Sequence, residues 1–172
     1  EAVYEASPLS RTLKSFGPGK AWRDLGIASE MDYQTVYVAT DVKNIYALIN
    51  DNKGFIGTYA NDGQLLKKVS LDERGSFVRE YSDKMGNVIR RVVQSSDTDS
   101  LITAYVYDDA NRLRYVLPPN AYEAVKNSTE FTESGDVFNE MIYAYHYDGR
   151  GRVYETHTPG TGWSRVVYNR LN

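Results

Sequence analysis

The sequence contains no cysteine and only two histidines among its 172 residues. The first absence removes disulfide frameworks, thiolate zinc sites and cysteine nucleophiles together, and leaves the redox compartment open, because secreted bacterial proteins also do without cysteine. The second leaves His146 and His157 as the sole imidazoles for acid–base chemistry. No run approaches the roughly 18 apolar residues of a membrane helix, and no charged start followed by an apolar stretch marks a signal peptide. Twenty basic residues stand against 23 acidic ones, a net charge of −3, so the basic stripe of a nucleic-acid binder is missing. The chain begins at Glu1, without methionine, and reads as a piece of a longer protein.

Tyrosine is the excess, at 15 residues, in a chain that is 41% apolar. A chain of this length buries roughly 70% of its unfolded surface, enough for a core without metals or disulfides. One domain, or part of a larger array, is the expectation.

The tyrosines belong to repeats. Tyr4 to Trp22 aligns without gaps on Tyr145 to Trp163, with Tyr4, Arg11, Pro18, Gly19 and Trp22 matching Tyr145, Arg152, Pro159, Gly160 and Trp163. Both copies predict a tyrosine strand, a turn, a second strand holding the arginine, and Pro-Gly-x-x-Trp; their traces should superpose. A shorter unit lies between them, in which an aromatic or apolar residue is followed by a polar turn and another apolar residue. Its copies are Tyr59 to Leu65, Leu71 to Phe77, Tyr107 to Leu113 and Tyr147 to Val153, each with Gly or Asn at the fifth position. Those residues tolerate positive φ, and an aspartate after tyrosine can bond the backbone two residues on, so each unit predicts one β-hairpin. Tyr81 to Val88 has the same form with one extra residue, which a bulge would absorb. Tyr168-Asn169 begins another copy.

Flanking segments support strands: Thr35 to Ala39, Phe77 to Tyr81, Val88 to Val92, Ile102 to Tyr107 and Arg165 to Tyr168 are rich in β-branched and aromatic residues. The fold class is therefore all-β, built of consecutive antiparallel hairpins. One insertion, 118–142, breaks the series. Pro118-Pro119 leads a short helix over Ala121 to Lys126, Asn127 to Gly135 is polar and turn-rich, and Asp136 caps a second turn through Met141. No other helix of note is expected, and no interdomain linker is evident over 1–172.

These residues carry a resemblance. Tyr147-Asp148-Gly149-Arg150-Gly151-Arg152-Val153 resembles the YD repeat of Rhs (rearrangement hotspot) proteins. Ala6 to Arg11, the Pro-Gly-x-x-Trp pairs, Tyr107-Asp108 with Leu113 to Pro119, and Tyr145 to Arg150 resemble, in that order, the repeat region of large Rhs-repeat proteins of Bacteroidetes. Departures are Ser82 after Tyr81, Asn169 after Tyr168, and Asn111 in place of glycine. The resemblance implies a β-solenoid or shell of hairpins in a secreted or cell-surface protein, in bacteria often around a C-terminal toxin and in animal teneurins as part of an adhesion receptor. It also implies flanking repeats of a parent chain as partners. The aspartate-based self-cleavage motif that ends such shells is not seen in this sequence.

Candidate chemistry is sparse. His146 lies on the strand face opposite Tyr143, Tyr145 and Tyr147, and no serine motif accompanies it, so solvent or a neighbouring strand is its expected surrounding. His157 aligns with Phe16 and is expected to pack. The carboxylate pairs Asp108/Asp109, Asp72/Glu73 and Asp97/Asp99 fall at turns. Asn50 to Gly54 begins like a calcium loop but lacks the distal bidentate glutamate. No HExxH, phosphate loop or dinucleotide fingerprint is present. No catalytic residues, metal or cofactor are expected. The remaining candidates are aromatic: Tyr105 and Tyr107, Tyr143 and Tyr145, and Trp22 and Trp163. Rings spaced by two line one strand face, where they either pack between hairpins or contact carbohydrate or a cell-surface protein. Open strand edges of a partial array would favour self-association.

Overall fold

The computed structural model describes residues 1–36, 45–48, 54–58, 62–96, 98–128 and 130–169. It is mostly antiparallel sheet, 47% strand against 12% helix, as the hairpin spacing requires. Eleven strands form one sheet whose order follows the chain except at two excursions. The first part runs β1 (Ala2–Tyr4), β2 (Thr12–Phe16) and β3 (Ala28–Thr35). After an excursion that contains β4 (Ile45–Leu48) and β5 (Gly54–Thr58), the sheet resumes with β6 (Leu66–Leu71), β7 (Phe77–Ser82), β8 (Val88–Gln94), β9 (Ser100–Tyr107) and β10 (Leu113–Leu117). The second excursion holds helix α2 (Pro119–Val125), β11 (Glu130–Thr132) and helix α3 (Asp136–Met141). The sheet then closes with β12 (Tyr143–Tyr147), β13 (Val153–Thr158) and β14 (Gly162–Arg165).

The two excursions meet on one face of the sheet. Strands β11, β5 and β4 pair into a three-stranded sheet, and α2 packs over β9 and β10. The strand alternation shows why they settle there. On β9, Ala104 and Val106 are buried while Tyr105 and Tyr107 point the other way; on β10, Tyr115 and Leu117 are buried with Val116 between them. These apolar residues meet Phe55, Ala121, Tyr122, Val125, Phe138, Ile142 and Ala144 in one core. Phe55 is its centre, stacked on Phe131 at 4.9 Å between centroids and tilted against Tyr115 at 5.3 Å. Each fully buried ring of this kind contributes about 1.5–3 kcal/mol. A smaller cluster joins Val36, Leu65, Tyr81 and Val92.

The insertion holds helices at both expected places, though Asp136 is the first residue of α3 and the cap position is Gly135, with no side-chain bond; its middle is not a bare turn. Glu130–Thr132 forms β11, paired in register with Gly54–Ile56, because the apolar Phe131 finds Phe55 across the ladder. A further short helix, α1 (Lys20–Asp24), lies outside the insertion. It occupies the first Pro-Gly-x-x-Trp unit, whereas the second makes the tight turn at Thr158–Thr161 that leads into β14. The two units therefore do not superpose. The pairing gives the reason. Tyr4 is opposite Thr12 as Tyr147 is opposite Val153, so the first hairpin loop is two residues longer and the ungapped alignment slips. Trp22 lies against Gly17 on α1, and Trp163 lies on the β12–β13 hairpin. The Asn50 to Gly54 segment, the Tyr59 end of its repeat, 37–39 and Asp97 lie outside the described residues, except Gly54.

Phe138 is 1% exposed and joins α3 to the core. Phe138→Ala is expected to cost about 3–5 kcal/mol in urea unfolding, while Trp163→Ala, at a residue 42% exposed, should cost clearly less.

Candidate functional site

The repeated turns are the most regular feature of the molecule. In the hairpins closed at Asp72, Asp83, Asp108 and Asp148, the aspartate N–H donates to the carbonyl four residues on, and its carbonyl accepts from the N–H three residues on. The third following residue is Gly75, Gly86, Asn111 or Gly151, all at φ between 58° and 89°, the left-handed region that closes a three-residue hairpin loop. One carboxylate oxygen then takes two backbone N–H groups. Asp108 Oδ1 accepts from Ala110 at 3.0 Å and Arg112 at 2.9 Å; Asp148 Oδ1 accepts from Arg150 at 2.9 Å and Arg152 at 3.0 Å. Asp72 and Asp83 do the same.

The second carboxylate oxygen reaches sideways. Asp108 Oδ2 accepts from Arg112 Nε at 2.7 Å, and Asp148 Oδ2 from Arg152 Nε at 2.8 Å. Each guanidinium, so held, lies over a tyrosine ring that comes later in the chain: Arg112 over Tyr147, the last residue of β12, at 4.8 Å, and Arg152 over Tyr168, three residues past the end of β14 and not in a strand, at 4.1 Å. Those tyrosines donate their hydroxyls back to the preceding hairpin, Tyr147 to the Leu113 carbonyl at 2.8 Å and Tyr168 to the Val153 carbonyl at 2.7 Å. Tyr107 reaches the Val88 carbonyl at 3.3 Å. At the first hairpin Glu5 takes the aspartate's part, pairing with Arg11, which lies over Tyr33 at 4.4 Å. Carboxylate, arginine and tyrosine thus form a relay at the Glu5, Asp108 and Asp148 hairpins, while Asn87 takes the arginine's place at Asp83.

Two units differ from the sequence expectation. Ser82, not Tyr81, occupies the tyrosine place before Asp83, since Ser82 pairs with Val88 as Tyr107 pairs with Leu113. Bulges follow in all these units, at Leu13, Ile89, Arg114 and Tyr154, so the bulge is part of the repeat and not a correction for one extra residue. Tyr81 turns instead into the smaller core. The Asp72 turn joins β6 to β7 at the opposite end of the sheet.

The aromatic candidates divide accordingly. Tyr107 belongs to the relay. Tyr105 and Tyr143 sit opposite Val116 from its two sides, on the sheet face away from the insertion, with Tyr145 on the same face of β12. Tyr105 and Tyr145 are half-buried and Tyr143 is 37% exposed. Trp22 is far along the sheet on α1, and Trp163 is on the covered face, so the six do not form one site.

His146 lies not in solvent but between two carboxylates. Its Nε2 is 2.8 Å from Glu133 Oε1 and its Nδ1 is 2.9 Å from Glu155 Oε2, with the Trp163 ring at 4.4 Å. Burial pushes its pKa down, but the two carboxylate hydrogen bonds outweigh that and leave it raised; the same bond from His146, with Arg165, lowers Glu155. Strand alternation could place His146 and Glu155 on one face, but Glu133 comes from the insertion, which no local pattern connects to β12. His157 packs as expected, fully buried and stacked on Phe138 at 4.3 Å, its Nδ1 donating to the Ile142 carbonyl at 2.8 Å. Among the described residues no group of three or more His, Asp or Glu is placed to hold a metal ion, and no helix is long and apolar enough to cross a membrane.

Compared with known proteins, the chain matches no family model and no curated protein.

The relay makes two measurable predictions. Tyr147→Phe removes one hydroxyl bond and should cost about 1 kcal/mol in denaturant unfolding, whereas Asp108→Ala, which frees two backbone N–H groups and an arginine, should cost about 1–3 kcal/mol. The Arg11 guanidinium holds Glu5 at about 2, from an ordinary 4.5, and the Arg152 backbone and side chain hold Asp148 at about 2, from 3.8. Lowered folded values mean that these groups stabilise the protein above the ordinary carboxylate range and lose that contribution as pH falls toward 2. Acid unfolding should therefore be shallower in Glu5→Gln/Asp148→Asn than in the parent.

Proposed function

We propose that this chain is a non-catalytic structural repeat module, a segment of a Rhs/YD-type hairpin shell in a secreted or cell-surface bacterial protein. The observation that supports it is the relay: at the Asp108 and Asp148 hairpins the arginine and the first carbonyl of the second strand both meet a tyrosine from the next part of the chain, Tyr147 and Tyr168. Such nearest-neighbour coupling is what a repeat array needs in order to extend without a central core. In this reading the outer strands β1 and β14 adjoin flanking repeats of the parent chain, and the shell encloses or presents a toxin. In isolation those two edges pair with other copies, a self-association that light scattering across a concentration series would register.

A second reading rests on one specific observation. Tyr105, Val116, Tyr143 and Tyr145 form a partly exposed aromatic group on the uncovered face, which suits stacking on a sugar ring or contact with a cell-surface partner. Glycan-array binding by the purified chain, lost in Tyr143→Ala/Tyr145→Ala with the melting temperature of the protein kept, would promote this reading over the scaffold. Under the scaffold reading the array stays blank, the double variant is altered in stability alone, and no hydrolytic activity depends on His146.

A further inference from the structure

The contact at His146 joins two parts of the protein that are otherwise distinct layers. His146 and Glu155 are cross-strand partners in the large sheet, on β12 and β13. Glu133 comes from the excursion, one residue past β11, and the three side chains are 11–15% exposed. A neutral imidazole carries one N–H and one bare lone pair, so it can donate to one carboxylate only. Both ring nitrogens here are within 2.9 Å of a carboxylate oxygen. Both carboxylates also take other donors: Glu133 accepts from the Tyr115 hydroxyl at 2.5 Å, and Glu155 from Arg165. Between two carboxyl groups that both act as acceptors, a ring that donates from both nitrogens satisfies all of these contacts.

We propose that the excursion carrying β11 and α3 is fastened to the large sheet by doubly protonated His146, and that loss of this one proton loosens it. Of the groups facing the ring, the two carboxylates favour that assignment and Arg114 opposes it. From the excursion comes Glu133; from β13, Glu155; from β14, Arg165 and the Trp163 ring; from β10, the Tyr115 hydroxyl and the opposing charge of Arg114; and from the bulge at the start of β13, the Tyr154 ring at 6.2 Å. Two carboxylates beside the imidazole outweigh burial and Arg114, so protonation accompanies docking. The folded value is raised above the ordinary 6.5, and the contribution is therefore full below that value and lost as pH rises through the folded one. On deprotonation one carboxylate faces a lone pair across less than 3 Å. The excursion then keeps its apolar contacts in the core around Phe55, the stacking of Phe138 on His157, and the backbone bond from Gly160 to the Asn139 carbonyl. The result is partial release of one layer within a folded protein, a pH-responsive latch on the three-stranded sheet and its helices.

Hydrogen exchange on the intact chain tests the latch. Exchange rates corrected for intrinsic pH dependence should give protection over β11 and α3 that falls at least tenfold, relative to β9 and β10, between about pH 6 and pH 9. In His146→Gln, which keeps a neutral donor, the protection should be lower at pH 6 and change little with pH. A ratio that is flat with pH in the parent, or one that changes equally in His146→Gln, overturns the proposal. Should the variant fold poorly, nitrogen NMR of the parent decides alone: two protonated ring nitrogens on His146 at pH 6 are required, and a single-tautomer spectrum there refutes the latch.

Discussion

A carboxylate that faces inward on its own turn is the constraint from which the array follows. In each repeated hairpin one oxygen of Asp108 or Asp148 absorbs two backbone N–H groups that a three-residue loop would leave without partners. That fixes the loop length, places a left-handed residue three positions on, and leaves the other oxygen to hold an arginine in one direction. The arginine becomes a platform for a ring, that of Tyr147 for Arg112 and of Tyr168 for Arg152. Exposed ion pairs are usually weak because two long side chains must be immobilised. Here the carboxylate is already fixed by its turn and the guanidinium lies against one ring, so part of that ordering cost is met by the hairpin itself.

This arrangement explains what could be read in the sequence. Tyrosine, aspartate, a Gly or Asn three residues after the aspartate, and an arginine next are local, and the hairpin they specify is legible wherever those residues occur together, as at Tyr107 to Leu113 and Tyr147 to Val153. Where one member changes, spacing alone misleads. Tyr81 looks like the repeat tyrosine, but the turn bonds belong to Asp83, and these put Ser82 in the repeat place and Tyr81 in a core. The Pro-Gly-x-x-Trp pair shows the same limit. Five identities suggested one structure, yet the longer Glu5 loop shifts the frame, and Lys20–Asp24 coils into a helix where Gly162–Arg165 extends.

The second layer was least legible because its contacts are long-range. The proline-led helix α2 and the helix that begins at Asp136 are local signals in 118–142 and appear where expected. The pairing of Phe131 with Phe55, and of Glu133 with His146, spans separations that no repeat or periodicity encodes. Strand alternation puts His146 on the face opposite the tyrosines, beside Glu155 of the neighbouring strand, but Glu133 comes from the excursion that folds over it. The two layers thus obey different rules. The sheet propagates by turn chemistry from neighbour to neighbour, and the excursions are held by a shared apolar core centred on Phe55 and by one charged contact at the margin.

The coupling between Arg112 and Tyr147 is the most direct measure of the central idea that each hairpin is completed by its successor. A double-mutant cycle with Arg112→Met and Tyr147→Leu, read by equilibrium unfolding, isolates the term that the two side chains share. The relay predicts a favourable coupling of about 0.5–1 kcal/mol, the size of a partly exposed cation–π contact. Additive single effects, with a coupling indistinguishable from zero, would mean that the hairpins are closed independently and that the array is held by backbone pairing alone.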